Sequence, residues 1–318
     1  MDAARFQRLL CEVAELTARQ KKQLIKVLEG VAEGAEAVAI VESRGAPEAP
    51  CPHCGHQHVQ PWGNSDGLQR WRCKSCRRTF NALTGTPLAR LRKRELWLEH
   101  GRALVDGVSL RKVAERCDVA LSTAFLWRHR NLAAPKDVQA PSLTGIVEAD
   151  ETYFLRSAKG SRKLLRAPRK RGGVATSPGL SDEHVPVLIA RDRSGATLAA
   201  RLDDRSETAL AAHLDPVLAR DALLVSDGAK AYGALARRLG LVHVGLNVSA
   251  GERVRDGIYH IQNVNGWTSS LKLWMRRFKG VASKNLPIYL GWRRLIESHG
   301  SALTDRAFVA AAVGGRLP

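Results

Sequence analysis

The sequence predicts a multidomain α+β protein in which helices and a metal-binding segment precede an α/β domain. Three observations lead to this prediction. Apolar residues recur at helical spacing over residues 5–33, and two Cys-x-x-Cys pairs follow. From Gly145 onward, short apolar strands alternate with helical segments. A chain of 318 residues is long enough for about two or three domains of this kind.

The composition is that of a folded and strongly basic protein. Hydrophobic residues make up 44% of the chain, which is enough to form a core. Lys and Arg number 50 against 31 acidic residues, and a net charge of +19 favours a polyanionic partner, most simply nucleic acid. The alternative explanation of this charge is a basic surface that only keeps the protein soluble. No apolar run approaches the roughly 18 residues needed to span a membrane, and the first residues do not resemble a signal peptide, so we expect a cytoplasmic protein.

The N-terminal part, residues 1–47, is predicted to be a helical region. Its apolar residues keep helical spacing as far as Val31. The stretch from Gly34 to Pro50, which ends in GAPEAP, is a candidate linker. Cys11 lies in this helical pattern and Cys117 in a later one, so both are expected to be buried thiols.

Residues 48–82 are predicted to form a zinc ribbon. The two Cys-x-x-Cys pairs are separated by 18 residues, the spacing of a closed tetrahedral zinc site with a structural role. The predicted ligands are Cys51, Cys54, Cys73 and Cys76. Two redox-active pairs are the alternative, and His53, His56 and His58 are competing ligands in principle. The ribbon is also rich in basic and aromatic residues, which indicates either contact with a DNA backbone or a solvated basic face.

Residues 83–135 are predicted to contain a helix-turn-helix. A first helix spans about 92–105, Ser109 caps a second, and Ser122 is a candidate cap for a third. In a helix-turn-helix the last of these helices enters the major groove of DNA. The candidate DNA contacts on it are Ser122, Thr123, Arg128 and Arg130, while Ala124, Phe125 or Leu126 would pack inward. Three such helices also occur without any role in DNA binding, but the cysteine pattern and the net charge favour that role.

Residues 142–300 are predicted to form an α/β domain. The order is three strands, a helix, a strand, a helix, a strand and then helices. This order is that of an RNase H-like fold.

Two aspartates follow apolar strands of this domain. Asp150 ends the first strand, in VEADETY, and Asp227 ends a later one, in LLVSDG. In the inferred fold these strands are adjacent, so the two carboxylates would hold a pair of Mg²⁺ ions for in-line attack on phosphorus. Strand alternation puts Glu148 on the side of Asp150 and Glu151 on the opposite side. Glu148 is then a second ligand or, as we expect, an exposed strand residue.

A basic insertion, residues 156–171, follows the first strand. It has eight Lys or Arg in sixteen positions and no acid. A solvated loop is the usual reading of such a run, but its nearness to Asp150 favours a clamp on the DNA backbone. The candidate contacts are Arg162, Lys163, Arg169, Lys170 and Arg171.

At this point the chain resembles a known family over about residues 5–298. The segments that carry the resemblance are CPHCG…RWRCKSCRRTF, the motif Gly-Thr-Pro-x-x-x-x-Arg, VEADETYF and HIQNVNGWTSSLKLWMRRFKGV. They look like transposases of bacterial insertion sequences, of the IS1595 family with an ISXO-type catalytic domain. The resemblance implies an acid triad whose first two members are Asp150 and Asp227. The third position is occupied by Asn265, as in some members of the family, and an amide oxygen can ligate Mg²⁺ without adding charge.

The same motif supplies further candidates. Lys272 lies two helical turns beyond Asn265, where it would hold a phosphate. His260 is a contact to DNA or to a ligand, or a residue at the start of the helix. Another acid could replace the missing one, and Glu252, Asp256 and Glu297 are the candidates, with Glu297 preferred.

The resemblance implies a DNA transposase. It would bind the terminal inverted repeats of its element as well as target DNA, and it would cut and join strands with Mg²⁺, or with Mn²⁺ as a substitute. It would assemble as a dimer or larger synaptic complex, in a bacterial cytoplasm and associated with the nucleoid. A decayed enzyme that still binds DNA is the first alternative, and a junction resolvase or RNA–DNA hybrid nuclease is the second.

Overall fold

The computed structural model describes residues 2–43, 50–164, 167 and 173–314. The chain forms two compact units, one of Met1–Asn131 with Thr304–Pro318 and one of Leu132–Leu303. The helices are α1 (Ala3–Glu15), α2 (Ala18–Glu42), α3 (Trp97–Val105), α4 (Leu110–Arg116), α5 (Leu121–Asn131), α6 (Glu207–Leu214), α7 (Lys230–Leu239), α8 (Gln262–Arg276), α9 (Leu286–His299) and α10 (Asp305–Ala312). The strands are β1 (Val59–Ser65), β2 (Leu68–Cys73), β3 (Thr79–Phe80), β4 (Ile146–Leu155), β5 (His184–Asp192), β6 (Thr197–Arg201), β7 (Leu223–Ser226) and β8 (Val242–Gly245).

The first helical region differs from its prediction in two ways. It is interrupted before α2 by a capping box. The Thr17 side chain accepts a hydrogen bond from the backbone N–H of Gln20, and the Gln20 side chain accepts one from the backbone N–H of Thr17. The helix then continues to Glu42, so the linker predicted from Gly34 is wrong over its first part. The reason is that Ala37 and Val41 keep helical spacing and are buried against the core of the unit.

The core of this unit joins helices that are distant in sequence. Trp97 and Leu98 of α3 pack with Val309 and Ala312 of α10 in one cluster. The two helices approach so closely that a side chain at Gly101 would lie 2.7 Å from a backbone oxygen of α10. The C-terminal helix is therefore part of the N-terminal unit.

Of the two N-terminal caps predicted for α4 and α5, the structure has the first and not the second. The Ser109 side chain accepts from the backbone of Lys112 and caps α4, as expected. Helix α5 begins before Ser122, because the backbone of Ala124 already donates to Ala120, so Ser122 is not its cap.

The two predicted buried thiols have different environments. Cys117 is fully buried in the cluster that joins α3, α4 and α5, as expected. Cys11 is exposed, because α1 has no buried residue, so the prediction for Cys11 is wrong.

The second unit contains a five-stranded mixed sheet in the order β6-β5-β4-β7-β8. Strand β5 is antiparallel to both β4 and β6, whereas β7 is parallel to β4 and β8. Strand β4 is the central strand of this sheet, and its buried residues are Val147, Glu148, Ala149 and Thr152. The mixed helix-and-sheet class is therefore confirmed.

The two faces of β4 meet different helices. Val147 and Ala149 pack into a cluster with residues of α6 and α7. Because successive side chains of a strand point to opposite faces, Glu148 and Asp150 lie on the other face. There Glu148 contacts the start of α8.

None of the described helices has the length and apolar character that crossing a bilayer requires.

Candidate metal centre and active site

The four predicted cysteines come together at one point of the first unit. Their sulfur atoms all lie within 4.8 Å of one another, and the Sγ–Sγ distance is 3.7 Å for both Cys51–Cys76 and Cys54–Cys73. No disulfide links them. Four thiols at such distances fit one tetrahedral metal ion, and zinc is the ion that prefers an all-sulfur donor set.

The two halves of this cluster have the same backbone construction. In each, the first cysteine accepts from the backbone N–H four residues later, at Gly55 and at Arg77. Both of those residues have positive φ, of 73° and 58°, which glycine adopts without strain and arginine does not. The repeated turn presents two thiols on one side, so the sequence spacing and the fold give the same site.

Asp150 and Asp227 lie close together in the second unit. Glu148 of β4 is paired with Val225 of the parallel strand β7, and each aspartate lies two residues further along its chain. Burial, together with the nearby Asp227 carboxylate, raises the pKa of Asp150 to about 7. A pair of carboxylates that repel each other in this way is a site that a divalent cation would stabilise.

Glu148 is fully buried, so the expectation of an exposed strand residue is wrong. Its carboxylate accepts from the backbone N–H groups of Asn263 (2.8 Å) and Val264 (3.1 Å) and from the Asn263 side chain (2.8 Å). The Arg193 guanidinium lies 3.2 Å away and the His260 ring 3.3 Å away. Helix α8 begins without a side-chain cap of its own, and Glu148 satisfies the N–H groups of its first turn instead.

Glu151 makes a comparable bond on the opposite face of β4. Its carboxylate accepts from the Tyr232 hydroxyl of α7 at 2.6 Å. Burial, with Asp227 also contributing, raises the pKa of Glu151. Helix α7 begins three residues after Asp227, so Glu151 binds the helix that follows one candidate ligand, and Glu148 binds the helix that carries another.

The two remaining candidates are exposed on α8. Asn265 lies in the first turn, just after the residues that Glu148 binds, and Lys272 lies two turns later. Lys272 is close enough to lower the pKa of Asp150, against the larger effects of burial and Asp227. The structure thus brings Asp150, Asp227 and Lys272 into electrostatic range, and it ties the start of the helix bearing Asn265 to β4.

Two of the three acids proposed as substitutes for the missing carboxylate form ion pairs with arginines. Glu297 forms an ion pair with Arg191 at 2.6 Å, and Glu252 forms one with Arg255 at 2.7 Å. Among the largest influences on the pKa of Asp150 are Asp227, Glu151 and Lys272, but not Glu297. The preference for Glu297 is not supported by this geometry.

The predicted DNA contacts of α5 divide into exposed and buried residues. Ser122 and Arg130 are exposed and Thr123 is half-buried. Arg128 is 1% exposed and donates to the backbone oxygen of Val108 at 2.6 Å, so the prediction that it reaches DNA is wrong. Of the three residues offered for inward packing, Ala124 is buried, while Phe125 and Leu126 are exposed.

The basic insertion is described only in part. Arg162 and Lys163 are exposed. Arg169, Lys170 and Arg171 lie outside the described residues.

The residues that sequence reasoning missed are the anchors Glu148, Glu151 and Tyr232. Strand alternation had placed Glu148 beside Asp150, but the signal that it is buried was its position between Val147 and Ala149, in a strand paired on both edges. Nothing local in the sequence pairs Tyr232 with Glu151.

The second unit has a mixed sheet whose central strands bring two carboxylates together, and in the chain it follows the four-cysteine cluster. These features define a candidate metal-dependent domain. Residues 142–292 match the family described as the ISXO2-like transposase domain. An uncharacterized protein in transposable element ISH50 of Halobacterium salinarum (strain NRC-1) is 28% identical over 244 residues, which are 76% of this chain and 82% of that protein. Both matches support the resemblance to IS1595-family transposases that the motifs carry.

Solved structures give only distant likenesses. A simian T-cell lymphotropic virus intasome in complex with PP2A regulatory subunit B56 gamma is 12% identical, with a TM-score of 0.31, over 69% of this chain and 76% of that one. A pre-cleavage Mos1 transpososome is 12% identical, with a TM-score of 0.18, over 69% of this chain and 79% of that one. Likeness at this level does not bear on the fold or the function.

Proposed function

We propose that this protein is a DNA transposase that binds the ends of its element and cuts and joins DNA strands with divalent metal ions. In the cutting step, a water oxygen bonds to phosphorus while the bond from phosphorus to the 3′ oxygen breaks. In the joining step, the freed 3′-hydroxyl loses its proton and bonds to a phosphorus of target DNA, while the bond from that phosphorus to its own 3′ oxygen breaks and leaves a 3′-hydroxyl on the target strand. The observation that carries the proposal is the pairing of Asp150 with Asp227 inside a transposase-family domain.

The topology of the second unit supports an RNase H-like catalytic domain. Numbered from β4, its strand order is third, second, first, fourth, fifth, and the second strand is the antiparallel one. In such a sheet the two parallel central strands end side by side. In this sheet Asp227 follows the end of β7, and Asp150 lies beside it within β4, which continues to Leu155, so phosphoryl-transfer chemistry would take place at these two aspartates.

The donor set fits a hard cation. Asp150, Asp227 and the Asn265 amide offer oxygen atoms, which Mg²⁺ and Mn²⁺ prefer. Bound there, two such ions would supply a nucleophile at neutral pH and charge stabilisation for the leaving oxygen. With only two carboxylates the site carries less negative charge than a triad of acids, so DNA phosphates would have to complete it, and Lys272 would hold one of them.

The first unit supplies features suited to DNA recognition. The four-cysteine cluster would hold structural zinc, and α4 with α5 would act as a helix-turn-helix. Its exposed Ser122 and Arg130 and its half-buried Thr123 would contact the element's ends. Two ends must be brought together for transposition, so we propose that the protein works as a dimer or a larger assembly.

One observation favours a second function, that of a decayed enzyme which still binds DNA. Asn265 stands where the family motif has an acid, and among the residues that the structure describes its nearest substitutes are already paired with arginines. Against this, Asp150, Asp227 and the anchors around them are all in place.

A transposition assay separates the two functions. A marker would be flanked by the DNA segments that border this gene, and wild type would be compared with Asp227→Ala, Asn265→Ala and Asn265→Glu. If the chain is an active transposase, wild type moves the marker and the two alanine variants do not. If wild type is inert and Asn265→Glu restores movement, the decayed enzyme is the correct assignment.

A further inference from the structure

A groove of about 930 Å³ runs along the second unit between the end of β4 and the second half of α8. Its floor is apolar and includes Met275 and Leu286, which are 8% and 3% exposed. Within the described part of the chain, the charged side chains that line it are all basic. They are Arg156, Lys159, Lys272, Arg276 and Lys279.

The groove is continuous with the candidate active site. Lys272 lines it and also acts electrostatically on the Asp150 carboxylate. Tyr153, three residues beyond Asp150 on the same strand, lines it as well. A strand of DNA whose phosphate lies at the aspartates would therefore pass directly into this groove.

The walls at the far end of the groove are tied together. Ser157 donates its backbone N–H to the Ser283 hydroxyl at 2.8 Å, and Ser283 donates its own to the Ser157 oxygen at 2.9 Å. The Lys159 ammonium donates to the backbone oxygen of Gly280 at 2.7 Å and to the backbone oxygens of Phe278 and Lys279. The ammonium of Lys159 thus holds the wall, while Lys272, Arg276 and Lys279 are the cations placed for a ligand.

The chemistry of the lining selects among ligands. A purely basic rim requires an anion, and a polyanion best suits the three cations that are placed for a ligand. An apolar floor gains only from an apolar surface that leaves water. Duplex DNA presents phosphates outward but keeps its bases stacked inside, so it would cover the rim and leave the floor wet. An unstacked nucleotide presents both a phosphate and the face of a base.

We propose that this groove binds an unpaired nucleotide of the DNA strand next to the reacting phosphate, with its base on the apolar floor and its phosphates on Lys272 and Arg276. The inference rests on the proposed function, because it places the nucleotide beside the aspartate pair. Cavities of roughly 300–1,000 Å³ are the size that accommodates such groups. The groove would hold the strand end open and fix its direction for in-line attack.

The experiment uses the full-length protein and a duplex made from the DNA that borders the gene. The fluorescent base 2-aminopurine replaces each nucleotide around the element's end in turn, and Ca²⁺ is used for binding without cleavage. Val281, which is half-buried and lines the groove, is changed to Trp in order to fill it. The matched control is the same change at Val242, which is 64% exposed and is not part of the groove lining.

We expect one position to brighten on binding to wild type and to Val242→Trp, and to stay dark with Val281→Trp. With Mg²⁺, cleavage by Val281→Trp should fall on the order of tenfold, as the loss of one base contact predicts. An abasic site at the same position should restore cleavage by Val281→Trp, because no base then has to enter the groove. A groove variant that had merely misfolded would not be rescued in this way.

Two results would overturn the inference while leaving the proposed function intact. One is cleavage by wild type with no position that brightens. The other is full brightening and full cleavage by Val281→Trp. Failure of wild type to cleave any end, with Mg²⁺ or Mn²⁺, would instead count against the proposed function itself.

Discussion

Replacement of Glu148 by alanine tests whether this buried carboxylate holds α8 against the sheet. The substitution removes the acceptor of three N–H bonds from the start of α8, each between 2.8 and 3.1 Å long. It also leaves the Arg193 guanidinium, 3.2 Å from the carboxylate, without this counter-charge. We therefore expect a large loss of stability that is confined to the second unit.

The magnitude follows from what remains after the change. The change leaves the backbone donors of Asn263 and Val264 without an acceptor, and each buried donor left unsatisfied costs about 1–3 kcal/mol, whereas Arg193 is exposed and its charge adds little. Glu148→Gln keeps the shape and one acceptor oxygen but turns an NH₂ group toward donors, so we expect about 1–3 kcal/mol. The control is Asp203→Ala, since the Asp203 side chain is 94% exposed, and its effect should stay within about 0.5 kcal/mol.

Two measurements check this expectation. Urea unfolding gives the free energy of each variant, and hydrogen exchange of a peptide spanning residues 260–276 reports on the first turn of α8. Faster exchange in that peptide for Glu148→Ala, with unchanged exchange in α3, would show that the loss is local. If Glu148→Ala and Asp203→Ala unfold at the same urea concentration, the anchoring role of Glu148 is refuted.

Three further predictions follow from the two units. A zinc chelator or Cys73→Ser should release about one zinc per chain and increase proteolysis within residues 50–82, as measured by metal analysis and limited digestion. Arg128→Ala should lower the melting temperature because Arg128 is buried, whereas Arg130→Ala should weaken DNA binding at an unchanged melting temperature. Without divalent metal, the pKa of Asp150 is raised from 3.8 to about 7, so ionisation of this carboxyl group is unfavourable in the folded state. The stability that the protonated carboxyl group contributes is complete below pH 3.8 and is lost as the pH rises through about 7. Asp150→Asn should therefore stabilise the metal-free protein relative to wild type at about pH 8 more than at about pH 5, and equal urea midpoints for the two proteins at both pH values would contradict this.

The features that the sequence predicted best are those set by local spacing. The cysteine cluster depends on two short turns, and each turn is encoded by neighbouring residues. Asp150 and Asp227 were predicted as a pair because each was expected to end an apolar strand. Asp227 does follow β7, whereas the expectation for Asp150 is wrong because β4 continues to Leu155 in its pairing with β5. The mixed sheet itself followed from the order of strands and helices.

The features that were missed depend on contacts between distant segments. Periodicity places Glu148 on one face of β4, but it does not say that α8 covers that face, 115 residues later in the chain. Arg128 lies on a helix whose inner and outer sides both carry polar residues, so spacing alone could not assign it to the core. Helix α2 continues past Gly34 because its last two turns pack on the unit's core, which is a tertiary effect.

Strand β4 is the element through which the candidate site is assembled. Along it, Asp150 offers a ligand, while the glutamates on either side offer none and instead bind α8 and α7. A change at Asp150 or Asp227 removes a ligand and should leave the fold in place, whereas a change at Glu148 moves the helix that carries Asn265 and Lys272. Ligand loss would therefore lower turnover at every metal concentration. Anchor loss would mainly raise the metal concentration needed, because the same donors remain but are less well positioned. Metal titrations of cleavage by Asp227→Ala and Glu148→Gln distinguish these two effects, and identical titration curves would show that the glutamate acts as a ligand after all.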